Sequence, residues 1–279
     1  MTLTLIIWAA LAGFLGALVG LGGGIILTPV LTIIFGIDIK YAIGASIIAV
    51  IATSSGSTTQ FVKDKIANLR VGIFLEMFTS FGAVIGALMM GILPANILYI
   101  FFSLVLLNSF FGMLKKSGLI RQKKRKKIIE NDTLAKKYKL DGSYFDKAEG
   151  VEKKYKVEKT KQGALVMLGA GFASGMLGIG SGAFKVVALD NYMKLPIKVS
   201  TATSNFMMGV TASASSLIYF FNGMINANIA SQVAIGVLIG SKIGAICVQK
   251  IKGRYIRLIF LPILLFTIIN MFLKGVGIL

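Results

Sequence analysis

Long apolar segments recur along the chain and alternate with shorter polar ones. Runs of roughly 16 to 22 residues occur near 3–20, 41–60, 71–92 and 96–114, and again near 163–178, 197–220, 227–249 and 255–273. At 1.5 Å per residue, runs of this length span the roughly 30 Å of bilayer hydrocarbon. The pattern therefore predicts eight long membrane helices.

Two glycine-rich stretches interrupt this pattern at corresponding places. Gly20-Leu-Gly-Gly-Gly24 and Gly178-Ile-Gly-Ser-Gly182 each follow an apolar run and precede a short one, 25–36 and 183–193. Each glycine costs a helix about 1 kcal/mol relative to alanine, so these stretches predict helix breaks followed by half-helices. Unwound backbone is tolerated in a membrane only inside protein or beside a polar cavity, and a break present twice is typical of a transporter's binding site.

The two halves of the chain are related to each other. A shift of 158 positions without a gap places Gly13-Phe14 on Gly171-Phe172, Ile39-Lys40 on Ile197-Lys198, Ser46 on Ser204, and Ile85-Gly-Ala87 on Ile243-Gly-Ala245. Each half crosses the membrane a net odd number of times, because a broken pair of segments returns to the side where it began. The predicted fold class is an all-α polytopic membrane protein with two inverted-topology repeats of about five helical segments each, including glycine-broken half-helices.

Basic residues indicate how the chain is oriented. The net charge is +19, and residues 115–161 hold 17 Lys or Arg against 7 Asp or Glu. The positive-inside rule places this segment in the cytoplasm and both termini outside. The predicted organisation is a first transmembrane repeat (1–114), a basic cytoplasmic loop (115–162) and a second transmembrane repeat (163–279). A mean hydropathy of +0.81 agrees with a multi-pass protein of the cell (inner) membrane.

The basic loop contains two local features. Arg121-Gln-Lys-Lys-Arg-Lys-Lys127 is expected to lie on anionic lipid headgroups, at about 1 kcal/mol per charge. Beyond it, Tyr138-Lys-Leu140, Ser143-Tyr-Phe145 and Tyr155-Lys-Val157 alternate around Asp141-Gly142, a hairpin-turn signal that predicts a small β element. A solvated linker is the alternative.

The composition excludes several chemistries. The chain has no histidine and one cysteine, Cys247, so it lacks imidazole acid–base groups, Ser–His and Cys–His pairs, and a thiolate metal cluster. No metal and no cofactor are expected, and an enzyme is disfavoured because no carboxylate pair lies on one helix. Nucleic-acid binding is disfavoured as well, since membrane topology already explains the basic excess.

Four charged residues fall inside the predicted spans: Glu76, Lys185, Asp190 and Lys242. A charge there costs about 2.5 to 3.5 kcal/mol and is a functional hypothesis by default. Lys185 lies three residues past the second glycine stretch, in the first turn of a half-helix, where free N–H groups and the helix dipole favour an anion. It is predicted to contact the substrate. The alternative is an ion pair with Asp190, although five residues turn a helix by about 140°.

Lys242 and Glu76 each have two interpretations. Lys242 lies in a span lined by glycines at four-residue intervals, a face suited to close helix packing. It is expected either to attract the substrate or to pair with Glu76 or Asp190. Glu76 lies roughly five residues into its span from the cytoplasmic side and is expected either to carry a coupling proton or to extend to the interface.

Hydroxyl side chains cluster at 53–59, 201–204 and 211–216. Such residues line polar paths, but they also serve close packing of membrane helices. Ser46 and Ser204, which the repeat matches near the starts of their helices, are the preferred candidates for substrate contact, together with Asn205.

These motifs resemble the TauE/SafE family of sulfite and organosulfonate exporters. Gly13-Phe-Leu-Gly-Ala-Leu-Val-Gly-Leu-Gly-Gly-Gly-Ile-Ile-Leu-Thr-Pro-Val30 is similar to the family's opening glycine-rich motif. Ala202-Thr-Ser-Asn-Phe-Met-Met-Gly-Val-Thr-Ala212 is similar to its second-repeat Thr-Ser motif, and Tyr138-Lys-Leu-Asp-Gly-Ser-Tyr-Phe-Asp146 to a loop of many bacterial members. The resemblance covers nearly the whole chain.

The resemblance implies export, or less often uptake, of small sulfur-containing or carboxylate anions. Carried over by position, it points to Gly22, Gly23, Gly24, Thr28, Ser46, Gly180, Ser181, Gly182, Ser204 and Asn205. Lys185 and Lys242 complete the predicted substrate site, and Glu76 is the predicted coupling residue. Ser181 departs from the family pattern, in which a third glycine is usual, and this leaves the substrate open.

The predicted function is secondary transport of small anions such as sulfite, sulfoacetate or other organosulfur or carboxylate anions, by alternating access and with export as the expected direction. A passive anion channel would share the glycine breaks and is the alternative. The expected partners are a small anionic substrate and a bilayer with anionic headgroups, without nucleic acid. Proton coupling and a homodimer are left open.

Overall fold

Polar residues between the apolar runs cap the N-termini of two helices. The computed structural model describes residues 2–116, 132–147, 150–178, 180–248 and 253–278. At the start of the helix Ile39–Lys63, the Asp38 side chain accepts a hydrogen bond from the Lys40 amide at 2.8 Å. Asn68 likewise accepts one from the Val71 amide at 3.1 Å. Such side chains satisfy the free amides of a helix N-terminus. The helices of the first half are α1 Thr2–Val19, α2 Gly24–Pro29, α3 Ile39–Lys63, α4 Leu69–Ile92 and α5 Ala95–Lys116.

The second half follows the same order of elements. Between the halves lie α6 Thr133–Lys137, β1 Gly142–Asp146 and β2 Val151–Tyr155, and then come α7 Thr160–Leu177, α8 Gly182–Val187, α9 Ile197–Phe221, α10 Ala227–Val248 and α11 Gly253–Val276. A π-helical segment continues each half-helix: π1, Val30–Ile34, follows α2, and π2, Ala188–Tyr192, follows α8. The helix breaks and the half-helices are therefore present. Their π-helical extensions were not predicted, and such turns are frequent at functional sites.

Glycines allow two pairs of helices to approach each other closely. α1 packs along α10, and α4 packs along α7. A Cβ atom built on Gly240 would overlap the carbonyl oxygen of Ala10, and one on Gly171 would overlap that of Thr79. In each pair the contacts advance in the same direction along both helices, so the helices run parallel. The glycine face predicted on α10 therefore packs against α1, as small residues do between membrane helices.

Two further helix pairs join the halves. α3 packs against α9, and α5 packs against α11. The start of α3 at Gly44 approaches Met224, whereas Ser57 near its end donates to Asn205 Oδ1 at 3.2 Å. α3 and α9 are therefore antiparallel. Buried apolar side chains from both halves form a shared core around these contacts.

An antiparallel hairpin of β1 and β2 lies between the halves. The chain reverses between Asp146 and Val151, next to Gly150 with its φ of +69°, and not at Asp141-Gly142 as the sequence pattern indicated. Gly142 is instead the first residue of β1, and the Asp141 carboxylate accepts a hydrogen bond from the Val157 amide at 2.7 Å. Glycine adopts the positive φ of this reversal without steric cost. The basic block 121–127 lies outside the described residues.

The hairpin is bound to both halves of the chain. Asp146 is buried and accepts hydrogen bonds from Lys198 of α9 at 2.6 Å and from Lys153 of β2 at 3.0 Å. Lys147 forms an ion pair of 2.6 Å with Asp64, the residue that follows α3. The hairpin therefore connects the end of α3 to the start of α9.

The short helix α6 is tied to the start of α7 through Asp132. Its carboxylate accepts hydrogen bonds from the amides of Leu134 at 2.9 Å, Ala135 at 3.2 Å and Thr160 at 2.5 Å. Burial acts to raise the pKa of Asp132, but these hydrogen bonds to the ionised form outweigh it and hold the pKa below its ordinary value.

Several helices have the length and composition of membrane spans. In the described ranges these are α1, α3, residues 69–90 of α4, and α10, while Gly24–Ile34 is a shorter apolar segment. The described chain is thus mostly helical, with several apolar helices that pack through glycine-lined faces.

We expect Gly240→Ala to destabilise the protein, because the added Cβ would overlap the α1 backbone and not a flexible side chain. Overpacking of this kind costs about 1–3 kcal/mol. The melting temperature in detergent should fall. Gly169→Ala is the matched control, since Gly169 is exposed on α7 and nothing lies within 4 Å of an added Cβ. Equal melting temperatures for the two variants would contradict the close packing of α1 on α10.

Candidate functional site

The two glycine stretches form tight reversals, which we call the first hinge (20–24) and the second hinge (178–182). Gly20 and Gly22 have φ values of +76° and +73°, and Gly178 and Gly180 have values of +63° and +74°. Glycine adopts these left-handed conformations without steric cost. The described residues of both hinges, including Gly23, Gly24 and Gly182, are buried. The unwound backbone is thus enclosed by protein, as a membrane interior requires.

The two hinges contact each other. A Cβ atom built on Gly182 would overlap the carbonyl oxygen of Gly20 and would lie 2.6 Å from Leu21 Cα. The Ser204 hydroxyl, on α9, donates a shared hydrogen bond to the carbonyl oxygens of Gly20 and Gly182, each at 3.3 Å. Ser204 therefore links the hinges, and predicted glycines from both halves come together at this point.

Hydroxyl groups of the first half adjoin the first hinge. The Gly23 amide donates to Thr53 Oγ1 at 3.2 Å, and the hydroxyls of Thr28 and Ser46 lie 2.6 Å apart. Thr28, Ser46 and Thr53 are buried. Because each hydroxyl can both donate and accept, the Thr28–Ser46 pair can share its hydrogen bonds with a polar ligand.

One buried hydroxyl at the second hinge has no partner within the described residues. Ser181 is fully buried with a φ of +49°, and its Oγ makes no hydrogen bond there. An unsatisfied buried polar group costs about 1–3 kcal/mol. A ligand or an ordered water bonded to Ser181 would remove this cost, so the second hinge is a candidate binding position.

A buried ion pair lies one helical turn beyond the second hinge. Lys185 of α8 is fully buried, and its Nζ lies 3.5 Å from Glu76 Oε2 of α4. Lys185 also donates to the Thr211 hydroxyl, which donates in turn to Glu76 Oε1. Ser80 Oγ at 2.9 Å and Thr79 Oγ1 at 3.3 Å are further donors to the Glu76 carboxylate. We call these five residues the charged cluster.

The charged cluster bears on two of the alternatives that the sequence left open, the pairing of Lys185 with Asp190 and the extension of Glu76 to the interface. Lys185 forms its ion pair with Glu76, on another helix, and not within its own segment with Asp190. The exposed fraction of Glu76 is 5%, so its side chain does not extend to the interface. Glu76 and Lys185 are therefore a pair of opposite charges, buried together next to the hinges.

Two other predicted site residues lie apart from these contacts. Asn205 belongs to the α3–α9 contact, because its Oδ1 accepts from Ser57 at 3.2 Å and its Nδ2 donates to Thr201 O at 3.0 Å. Lys242 is exposed on α10. The structure thus brings the hinges, Ser204 and Lys185 together, but it does not bring Lys242 to the charged cluster.

Sequence reasoning missed Thr53 and Thr211 as individual residues, because each was one member of a hydroxyl cluster. They are 158 positions apart, which is the shift that relates the two halves. The Thr53 hydroxyl donates to the carbonyl oxygen four residues earlier, Ala49 O at 2.8 Å, and the Thr211 hydroxyl shares its one hydrogen between the equivalent Met207 O, at 3.0 Å, and Glu76 Oε1. Thr53 thus accepts a hydrogen bond from the amide of the first hinge, and Thr211, at the equivalent position, contacts the ion pair. A comparison of the two halves at this position would have identified both residues.

The polar side chains of the site are of few chemical kinds. Within the described ranges, no three His, Cys, Asp or Glu side chains lie close enough to hold a metal ion. The site offers one ammonium, one carboxylate and several hydroxyls, which suit charge-assisted hydrogen bonds to a small anion.

Comparison with known proteins places this chain in a family. Residues 5–271 match the family model described as "Sulfite exporter TauE/SafE". The chain belongs to the TauE/SafE family. The match includes both hinges and the charged cluster, so the family assignment covers the whole candidate site.

Relatives of this TauE/SafE chain carry transporter names. It is 26% identical over 280 residues to "Probable membrane transporter protein YunE" of Bacillus subtilis, covering 98% of this chain and 97% of that one. It is 28% identical over 278 residues to "Probable membrane transporter protein MJ0441" of Methanocaldococcus jannaschii, covering 93% and 91%. No solved structure matches the chain. The family and these relatives are membrane transporters and not enzymes.

We expect Lys185→Met alone to destabilise the protein more than Lys185→Met combined with Glu76→Gln. The single change leaves a buried carboxylate without its cation, which costs about 3–5 kcal/mol in buried pairs. The double variant keeps an amide that the surrounding hydroxyls can still bind. Melting temperatures of the two single variants and the double variant in detergent test this. Additive losses would contradict direct coupling between Lys185 and Glu76.

Proposed function

We propose that this chain is a secondary transporter that exports small anions such as sulfite, sulfoacetate or other organosulfur or carboxylate anions by alternating access. The observation that carries the proposal is the fully buried Lys185 beside a hinge whose Ser181 hydroxyl is unpartnered. An ammonium group has three donors, of which Glu76 and the Thr211 hydroxyl accept two, so Lys185 can also bind an anion, and a hinge of unwound backbone offers further polar groups. The family model's own description, sulfite exporter, agrees with an anionic substrate.

The proposed substrate position lies where the hinges meet. Lys185 would supply the positive charge, and Ser204 would hold the hinges in contact. The groups closest to the substrate would come from Gly22, Gly23, Gly24, Thr28, Ser46, Gly180, Ser181 and Gly182. Lys242 is left outside this position because it is exposed on α10.

Exchanged helix contacts support an inverted repeat. The shift of 158 positions carries α1 onto α7 and α4 onto α10, so it carries the α1–α10 contact onto the α7–α4 contact. At the residue level, it carries Gly13 beside Val237 onto Gly171 beside Thr79. A two-fold axis in the membrane plane produces such exchanges, and it allows the two halves to expose a shared site to either side.

Helix directions support the orientation that the basic loop indicates. α1 runs parallel to α10, α4 runs parallel to α7, and α3 runs antiparallel to α9. If the basic loop is cytoplasmic, α4 and α7 both begin inside, whereas α1 and α10 both begin outside. The proposed orientation is therefore a multi-pass inner-membrane protein with both termini outside.

Reporters fused at the two termini test this orientation. We expect alkaline phosphatase to be active at both ends, because it folds outside the cytoplasm, and green fluorescent protein to be dark when exported there in unfolded form. Reporters inserted in the basic loop, 115–162, are the internal control and should give the opposite result. A cytoplasmic signal at either terminus would overturn the inverted orientation.

Transport by purified protein tests the function. In proteoliposomes that contain radiolabelled sulfite or sulfoacetate, we expect Lys185→Met to weaken substrate affinity roughly 10- to 100-fold, the loss of one charged hydrogen bond of about 1.5–3 kcal/mol. Lys63→Met, an exposed lysine in the last turn of α3, is the matched control and should keep the unmodified rate.

Two outcomes would contradict this proposal. Transport by Lys185→Met at the unmodified affinity would show that Lys185 does not bind the substrate. Unitary currents in single-channel recordings would favour a passive anion channel, which needs no alternation of access.

A further inference from the structure

We propose that the negative charge of the substrate replaces Glu76 as the partner of Lys185, and that Glu76 then takes up one proton, so that one anion and one proton cross the membrane together. The inference rests on the proposed anion transport and adds the coupling ion and the charge class of the substrate. The proton comes from water on the side where the anion binds, and it returns to water on the other side when the anion leaves. Because this cycle is reversible, export runs down the outward concentration gradient of the anion, whereas a proton gradient that is acidic outside drives the same cycle towards uptake.

The count of buried charges requires a compensating proton. Among the described residues, the buried charged side chains are Glu76, Lys185 and Asp146. Asp146 lies in the hairpin, where lysines bind it, so the charged cluster is neutral by itself. A bound anion would leave one net negative charge inside the membrane, which costs several kcal/mol. Protonation of Glu76 restores neutrality.

The geometry of the ion pair permits this exchange. The 3.5 Å between Lys185 Nζ and Glu76 Oε2 exceeds the 2.7–2.9 Å typical of a direct charge-assisted hydrogen bond, and the Thr211 hydroxyl bridges the pair. An ammonium group has three donors, so an anion can bind Lys185 as Glu76 withdraws. The hydroxyls of Thr79 and Ser80 remain with Glu76, and hydroxyls accept from a protonated acid as readily as they donate to a carboxylate.

Other charged residues lie on α4 and on the elements around it. α4 packs against α7 and α9, and the charged residues on α4 and on neighbouring elements are Arg70 (α4), Lys161 (α7), Lys198 (α9) and Asp190 (π2). Arg70 donates to Lys139 O, Lys198 binds Asp146, and Lys161 is exposed in the first turn of α7. Asp190 follows Lys185 by five residues, in the π-helical segment. Within the described residues, Lys185 is thus the charged group that contacts the Glu76 carboxylate.

The ion pair occurs once and not twice. The shift that relates the halves carries Lys185 back to Leu27 and Glu76 forward to Ala234. The first half therefore contributes the uncharged hydroxyls of Thr28 and Ser46. One cation in the site matches one negative charge per cycle. The inferred substrate class is therefore a small monoanion, such as an alkanesulfonate or hydrogen sulfite. Among the anions proposed above, this excludes sulfoacetate, whose sulfonate and carboxylate are both ionised at neutral pH.

Methanesulfonate is a suitable probe because it stays fully ionised, so any coupled proton must be carried by the protein. Proteoliposomes with equal K⁺ on both sides and valinomycin hold the membrane voltage at zero. Under a pH gradient of one unit, acidic outside, we expect the labelled anion to accumulate inside about tenfold. A K⁺ diffusion potential without a pH gradient should produce no accumulation.

Glu76→Gln tests the proton carrier. Its amide keeps the hydroxyl contacts but cannot take up a proton, so the empty site would keep an uncompensated Lys185. We expect this variant to exchange internal for external methanesulfonate while it loses accumulation driven by the pH gradient. Glu76→Asp should retain that accumulation. Glu152→Gln, an exposed carboxylate of β2, is the matched control and should accumulate the anion about tenfold, like the unmodified protein.

The outcomes separate the coupling from the transport itself. Accumulation that follows the K⁺ potential, or that persists in Glu76→Gln, would overturn the coupling while anion transport stands. If the unmodified protein moves none of sulfite, sulfoacetate and methanesulfonate, the proposed function is wrong and the coupling is wrong with it. If Glu76→Gln does not insert into the membrane, the comparison of the pH gradient with the K⁺ potential on the unmodified protein still tests the coupling.

Discussion

Main-chain N–H and C=O groups cannot face lipid without partners, and this constraint governs the arrangement of the helices around the hinges. Each hinge leaves a helix unwound in the interior of the protein, so it must be covered on all sides. The hinges cover each other at Gly20 and Gly182, and Ser204 binds both carbonyl oxygens. Close approach of the surrounding helices depends on glycines such as Gly171 and Gly240. The glycines thus both break the helices and allow the packing that encloses the breaks.

The backbone of the two halves corresponds more closely than their polar side chains do. Thr53 and Thr211 occupy equivalent positions and bond to equivalent carbonyl oxygens, yet one serves a hinge amide and the other an ion pair. If access alternates as proposed, the matched helices of the two halves would serve the movement, whereas Lys185, with leucine at the equivalent position 27, would distinguish the substrate.

Sequence patterns predicted the hinges, the half-helices, the glycine face of α10 and the presence of buried charge. These features depend on local rules: glycine disfavours helices, small residues favour close packing, and charge is scarce in apolar runs. The pairing of Glu76 with Lys185 was not predictable from spacing, because it depends on how α4 and α8 meet in three dimensions. The hairpin turn was misplaced for a related reason. Asp141-Gly142 has the composition of a turn, but Asp141 bonds to Val157 and the reversal uses Gly150.

The contacts between helices also limit which parts can move if access alternates. The α1–α10 and α4–α7 pairs have backbone in contact with backbone, so each pair would move as a unit, and each contains one helix from either half. The hinge contact is different, since the Ser204 hydroxyl shares a single hydrogen between two acceptors. On one side of this contact, Asp146 and Lys147 of the hairpin bind Lys198 and Asp64, across α9 and α3. Any movement of α3 relative to α9 would therefore strain the hairpin, because its ion pairs reach one helix of each half.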